Sequence, residues 1–226
     1  GARFTNTGNE YTNLQFSANR TSPRNALGII NAKWNNNNEV AAIYLQAGDD
    51  TTNKDDGVIT FFTKPSSGNL ASSMVIQPNG EVNKPKQPAF SVKLGGNHTS
   101  LNKIIVWASE EFDVGNNYNT SNGRFTAPVA GKYFIGVNCY MGFNQGACRV
   151  IHCWFRKNGN DAYQFEMAGG TNQDGGNYWH PNGAGGTLID LAANDYVQFH
   201  MGDPSLIGNN DYILYSPSYF YGYLVS

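Results

Sequence analysis

Apolar and polar residues alternate along most of this chain, and that period of two predicts strands rather than helices. The clearest run starts at Gly131, where Tyr133, Ile135, Val137 and Cys139 fall on alternate positions, as in a strand with one face committed to a core. The same pattern predicts strands over residues 89–94, 104–107, 131–141, 148–157, 162–167, 187–191, 196–201 and 219–225. Earlier in the chain Leu14, Phe16 and Ala18 alternate, residues 26–34 and 39–47 read as a hairpin across Asn35–Asn38, and residues 57–63 and Met74-Val75-Ile76 read as two more strands. No segment carries a helical period.

Turn chemistry punctuates this pattern. Pro78-Asn79-Gly80, Asn122-Gly123 and Lys157-Asn158-Gly159-Asn160 are turn signals, and Pro128 with Gly131 marks a further break. Asn83-Lys84-Pro85-Lys86-Gln87-Pro88 favours an extended linker, which divides the chain into residues 1–87 and 88–226. The first part holds few, short strands, and it buries its surface better by wrapping around copies of itself. Three irregular stretches interrupt the second part, at 142–146, 168–186 and 203–211. The middle one, AGGTNQDGGNYWHPNGAGG, is the longest; long loops in compact domains are often functional.

Tyr118, Phe125, Gly131 and Tyr133 follow the spacing aromatic, six residues, Phe, five residues, Gly, one residue, Tyr. Phe220-Tyr221-Gly222-Tyr223-Leu224 forms an aromatic closing strand, and Leu188-Ile189-Asp190-Leu191 and Tyr196-Val197-Gln198-Phe199 flank an Asn194-Asp195 turn. In these elements residues 88–226 resemble the C1q-like domains, jelly rolls shared with the tumour-necrosis-factor superfamily. Ile135 and Val137 depart from the family's aromatic preference, and Phe112 stands nearer to Tyr118 than in animal members. The resemblance implies an all-β jelly-roll head that assembles as a homotrimer. Gly57-Val58-Ile59-Thr60-Phe61-Phe62-Thr63, followed by Met74 to Val82, is similar to a strand-and-hairpin element of phage tail fibres, which implies a β-rich fibre shaft before a receptor-binding tip.

Composition narrows the class of partner. The 226 residues are 40% hydrophobic and 13% aromatic, enough for a packed core, and only 14% charged, so Asn, Ser, Thr and Gly make up the polar surface. A net charge of −2 without a basic run disfavours nucleic acid, and no apolar run approaches the length of a membrane span. Gly1-Ala2-Arg3 lacks an initiator Met and reads as the start of a fragment of a longer protein. Three Cys without a disulfide framework read as reduced thiols packed among strands.

No catalytic motif stands out, so an enzyme is not expected. His98, His152, His180 and His200 are scattered, and Glu110-Glu111 would point to opposite faces of a strand. Asp49, Asp50, Asp55 and Asp56 cluster in a loop but lack EF-hand spacing, so they are either solvated turn acids or oxygen ligands for calcium. C1q-like trimers sometimes carry calcium near their apex, and Asp174, Asp203 and Asp211 are the head-loop acids that fit such a part; no other cofactor is expected. Tyr178-Trp179-His180, flanked by Gly and Asn, has the amphipathic character of surfaces that hold sugars or polar epitopes, with Phe143 and Tyr212 in neighbouring loops. The competing role for Trp179 is a packing plug. Sequons at Asn19, Asn97 and Asn119 occur at the rate chance allows in so Asn-rich a chain.

Tyr219, Tyr221 and Tyr223 share one face of the last strand, and Phe220 and Leu224 the other. One core covers only one face, so the second is expected to meet other copies around a three-fold axis, with Tyr118, Phe125 and Tyr133 filling the core or the contact. The sequence therefore reads as a non-enzymatic, trimeric receptor-binding tip of a phage tail fibre, directed at a host surface glycan. The alternatives are a secreted C1q/tumour-necrosis-factor-like ligand or lectin, and a structural capsid fibre or decoration protein.

Overall fold

The computed structural model describes residues 8, 11–98, 103–143, 150–168, 182–202 and 212–226. Among the described residues every regular element is a strand. The chain divides into two compact units, Gly1–Lys86 and Gln87–Ser226.

The first unit is one five-stranded antiparallel meander: β1 (Ala26–Trp34), β2 (Asn38–Ala47), β3 (Gly57–Thr63), β4 (Ala71–Ile76) and β5 (Val82–Asn83), paired in chain order. Asn35 and Asn36 turn the β1–β2 hairpin with φ of 55° and 59°, a left-handed pair that Asn tolerates better than most residues. A single sheet layer covers little. Ala42 and Val58 are the buried hydrophobic residues here among those described, while Ile29, Ile30, Ile59, Val82 and Trp34 are exposed, Trp34 at 69%. The alternation of Leu14, Phe16 and Ala18 does not produce a strand. Phe16 instead lays its ring over the Gly28 backbone, where a Cβ would meet Cδ1 at 2.6 Å. The segment is held by this aromatic and by side-chain bonds such as Lys54 Nζ to Asn19 Oδ1 at 2.6 Å, not by a ladder.

The second unit is a jelly roll. Its strands are β6 (Ala89–Lys93), β7 (Lys103–Ile104), β8 (Ser109–Val114), β9 (Tyr118–Asn119), β10 (Arg124–Thr126), β11 (Gly131–Phe143), β12 (Val150–Lys157), β13 (Asn160–Ala168), β14 (Asn182–Leu191), β15 (Tyr196–Met201), β16 (Tyr212–Leu214) and β17 (Tyr219–Leu224). One six-stranded sheet runs β14-β11-β17-β6-β8, with β16 also on β11; the other runs β13-β12-β15-β10-β9, with β7 also on β15. The inner faces supply the core. Phe90, Phe125, Tyr133, Phe155, Phe199, Phe220 and Trp107 are fully buried, and Phe90 stacks on Phe125 with ring centroids 4.5 Å apart. Offset and edge-on aromatic pairs of this kind add about 0.5–1.5 kcal/mol each beyond the area they bury.

Two further expectations are corrected. Residues 104–107 are not one strand: only Lys103–Ile104 pairs, and Ile105 and Trp107 drop into the core as plugs. The Gly-rich stretch of residues 168–186 does not stay irregular to its end, because Asn182–Gly186 forms the first half of β14 and pairs with Gly136–Tyr140. The reason is steric. A Cβ at Gly183 would meet Met167 Sδ at 2.5 Å, and one at Gly185 would meet Phe165 Cδ2 at 2.5 Å. Glycines let side chains of the opposite sheet close the sandwich at this edge.

Candidate functional site

Register gathers the loop-bearing strand ends at one end of each sheet. In the first, Phe143 at the end of β11 pairs with Tyr212 at the start of β16, and Tyr140 pairs with Asn182 at the start of β14. In the second, Val150 pairs with Ala168, and Cys153 with Met201. The three irregular stretches therefore spring from neighbouring strand ends. Phe143 and Tyr212 are brought together as direct register partners. Tyr178, Trp179 and His180, and the acids Asp174, Asp203 and Asp211, lie outside the described residues, as does Cys148.

The opposite end is tied by polar contacts. Asp195 accepts bonds from Asn158 Nδ2 at 2.7 Å and Ala192 N at 2.9 Å, and pairs with Lys157 Nζ at 2.9 Å. The bond from Asn158, then those from Lys157 and Ala192, hold its carboxyl down at about 2. This joins the β12–β13 turn to the turn before β15.

The aromatic signature residues turn inward. Tyr118, Phe125, Tyr133 and Phe220 are buried; Tyr133 donates its hydroxyl hydrogen to Val129 O at 2.8 Å, and burial raises its phenol. Tyr118 accepts from Trp107 N at 3.3 Å, and burial raises its phenol strongly. Tyr219, Tyr221 and Tyr223 turn outward.

That outward face is continuous. Leu188, Phe134, Tyr223 and Ala89 are successive register partners across β14, β11, β17 and β6, followed by Gly186, Gly136, Tyr221 and Ser91, then Ala184, Asn138, Tyr219 and Lys93. Leu188 is 55% exposed and Tyr223 48%. Phe134 lies 5.6 Å from Tyr223 between centroids. Glycines at 136 and 186 receive the Tyr221 and Phe134 rings, with would-be Cβ atoms 2.8 Å from each, so the face is low and flat. Lys93 pairs with Glu111 at its border.

Other residues singled out in the sequence have local partners. Asp49 accepts from Arg24 Nε at 2.8 Å, Asp50 Oδ1 from the backbone of Thr52 at 2.8 Å and Asn53 at 3.0 Å, and Asp56 from Asp49 N at 2.8 Å. The Asp50 and Asp56 carboxylates close their own loop, while Asp49 ties it to Arg24, a bond that lowers the Asp49 pKa. Among the described residues no group of three or more His, Cys, Asp or Glu converges as metal ligands. Cys139 and Cys153 are free, buried thiols, both raised by burial. His152 and His200 are partly buried in β12 and β15. The flank of β12 between them was not legible as a surface from any motif, although its strict alternation carries the signal.

A family model for the C1q domain matches residues 89–225, more than half of the chain and all but the ends of the second unit. The chain belongs to the C1q domain family. Human complement C1q tumor necrosis factor-related protein 3 is 27% identical over 127 residues, which are 55% of this chain and 47% of that protein. The mouse protein of the same name is 26% identical over the same length and shares. The chain thus spans about half the length of these curated relatives. Among solved structures, the globular domain of zebrafish complement 1qA covers 62% of this chain and 98% of its own, at 16% identity and a TM-score of 0.47. Within the C1q domain here, the family's aromatic and glycine spacing maps onto core positions at Tyr118, Phe125 and Tyr133 and onto the start of β11 at Gly131.

Proposed function

We propose that the protein is a non-enzymatic, trimeric receptor-binding head, and that it forms the tip of a phage tail fibre that recognises a host-surface molecule, in particular a glycan, through the loops carrying Tyr178, Trp179 and His180. The observation that carries this reading is the flat aromatic face of Phe134, Leu188, Tyr221 and Tyr223. A contiguous apolar surface of this kind on a soluble chain marks an interaction site, and a self-complementary one closes most simply into a ring. With this face turned to the axis, the loop-bearing ends point the same way in three copies. Several weak contacts made together hold where one releases.

The first unit supports the fibre setting. Its one-layer sheet leaves Ile29, Ile30 and Trp34 exposed, and copies of the same unit would cover them, as a shaft requires. A secreted C1q/tumour-necrosis-factor-like role is the second reading, favoured by the names of the human and mouse relatives. Both readings share the trimer and the loop site. The neighbouring sequence separates them: fibre-type repeats upstream support the first, and a collagen-like Gly-X-Y stalk the second.

Sedimentation of the full chain tests the trimer, which is expected at three times the chain mass of 24.7 kDa. A monomer at micromolar concentration would overturn it. Adsorption of virions carrying Trp179→Ala tests the loop; an unchanged adsorption rate would remove it as the receptor site.

A further inference from the structure

The two outer faces of the jelly roll differ in chemistry. On β12, alternation sends Ile151, Cys153 and Phe155 inward and buries them, and leaves His152, Trp154 and Arg156 outward and partly exposed. Register places His200 of β15 opposite Trp154 on one side and Gln164 of β13 on the other, with Glu166 opposite His152. The Trp154 ring lies 5.3 Å from the His200 ring and 6.1 Å from the His152 ring, tilted by 32° and 30°.

The indole does not stand up from the sheet. It leans over Gly202, where a Cβ would fall inside the ring; any other residue at 202 would lift it. A plate laid down this way is edged by polar groups. The Gln164 amide donates to His152 Nδ1 at 3.1 Å, and Glu166 Oε1 lies 3.5 Å from the same nitrogen. Asp161 Oδ1 forms an ion pair with the Arg156 guanidinium, 2.8 Å from its Nε, and lies 3.5 Å from His200 Nδ1. Gln164 and Glu166 are exposed, so both keep capacity for a further partner.

We propose that this face, centred on Trp154, binds a hexopyranose unit of a glycan. The C–H face of the sugar stacks on the indole, and its hydroxyls bond the Gln164 amide and the Glu166 carboxylate. The carboxylates of Glu166 and Asp161 are set against the Arg156 guanidinium, with the imidazoles between them. There is no one-signed field to draw an ion, and a neutral polyol with donors and acceptors fits best. The site is built without Tyr178, Trp179 or His180. It lies on the sheet opposite the aromatic face proposed as the trimer contact, so that contact does not use it.

Saturation-transfer NMR on the full chain tests the assignment, with D-glucose, D-galactose, D-mannose and N-acetyl-D-glucosamine each at millimolar concentration. Transfer to at least one sugar is expected, with affinity about tenfold weaker in Trp154→Ala, the scale of one lost stacking contact. Gln164→Ala and Glu166→Gln change exposed positions, and each is expected to weaken binding severalfold even if Trp154→Ala misfolds. Absence of transfer to all four sugars overturns the proposal, as does binding unchanged in all three variants. A signal lost in Trp179→Ala and kept in Trp154→Ala also overturns it, and leaves the loop as the receptor site.

Discussion

Phe165 on β13 occupies the space that a side chain at Gly185 on β14 would need, with a would-be Cβ 2.5 Å from its Cδ2. These two residues form the seam where one sheet of the jelly roll closes onto the other. Gly185→Val must push Phe165 off Phe155, with which it shares a 5.0 Å ring contact. Overpacking of this kind costs about 1–3 kcal/mol, and urea unfolding of the variant is expected to show an unfolding free energy lower by that amount, seen as a lower midpoint. An unchanged midpoint would mean that the seam can open without loss.

Phe125→Ala removes a fully buried ring that stacks on Phe90 at 4.5 Å and meets Tyr133 at 5.6 Å. The expected loss is about 3–5 kcal/mol, typical of Phe to Ala in a packed core. Denaturant unfolding measures it. A loss under about 1 kcal/mol would show that the aromatic signature is not the centre of the core.

Leu188→Asp combined with Tyr223→Asp puts charges on the outward face and leaves the inner faces untouched. If the proposed trimer closes through this face, the pair is expected to give a folded monomer, seen as a threefold fall in sedimentation mass with unchanged circular dichroism. A particle that stays trimeric places the contact elsewhere.

Burial lowers the His200 pKa, the neighbouring Asp161 offsets this in part, and Arg156 adds to the lowering; His98 is lowered by burial and by Lys103. Both imidazoles therefore bind protons less readily folded than unfolded. Below the unfolded value of about 6.5 the unfolded chain takes up more protons, so stability falls as pH drops from there through the folded values. Thermal unfolding between pH 7 and pH 5 is expected to show this decline, and His200→Gln to reduce it. A profile that is flat across that range would contradict the shifts.

Asp195 acts on a lower window. Its pKa, held at about 2 chiefly by Asn158 and also by Lys157 and Ala192, is depressed, so its contribution is present above the ordinary carboxylate value and lost as pH falls toward 2. Asp195→Asn is expected to lower the unfolding temperature at neutral pH and to flatten the acid limb. Identical melting curves at pH 7 would show that the two turns do not depend on this clamp.

Much of the head was legible because alternation and turn chemistry are local. The strands of residues 131–141 and 196–201, the Asn158-Gly159 turn and the inward set Tyr133, Ile135, Val137 and Cys139 need only the two-residue period and left-handed turn residues. Leu14, Phe16 and Ala18 had the same period and no partner strand, so alternation alone misled. Asn182–Gly186 looked like loop because glycine has poor strand propensity, and only the side chains of Phe165 and Met167 across the sandwich give those glycines their reason.

By itself the sequence determined the all-β class and the family to which residues 89–225 belong, since these follow from local pattern and spacing. The tertiary structure alone decided which outward aromatics become neighbours. Phe134, Leu188 and the Tyr221–Tyr223 pair are far apart in the chain and become one surface only when β11, β14 and β17 pair. Trp154 meets His152 within its own strand, but it meets His200 only when β12 lies beside β15. Pairing between distant strands is a non-local choice made by packing the whole core, and no window of sequence contains it.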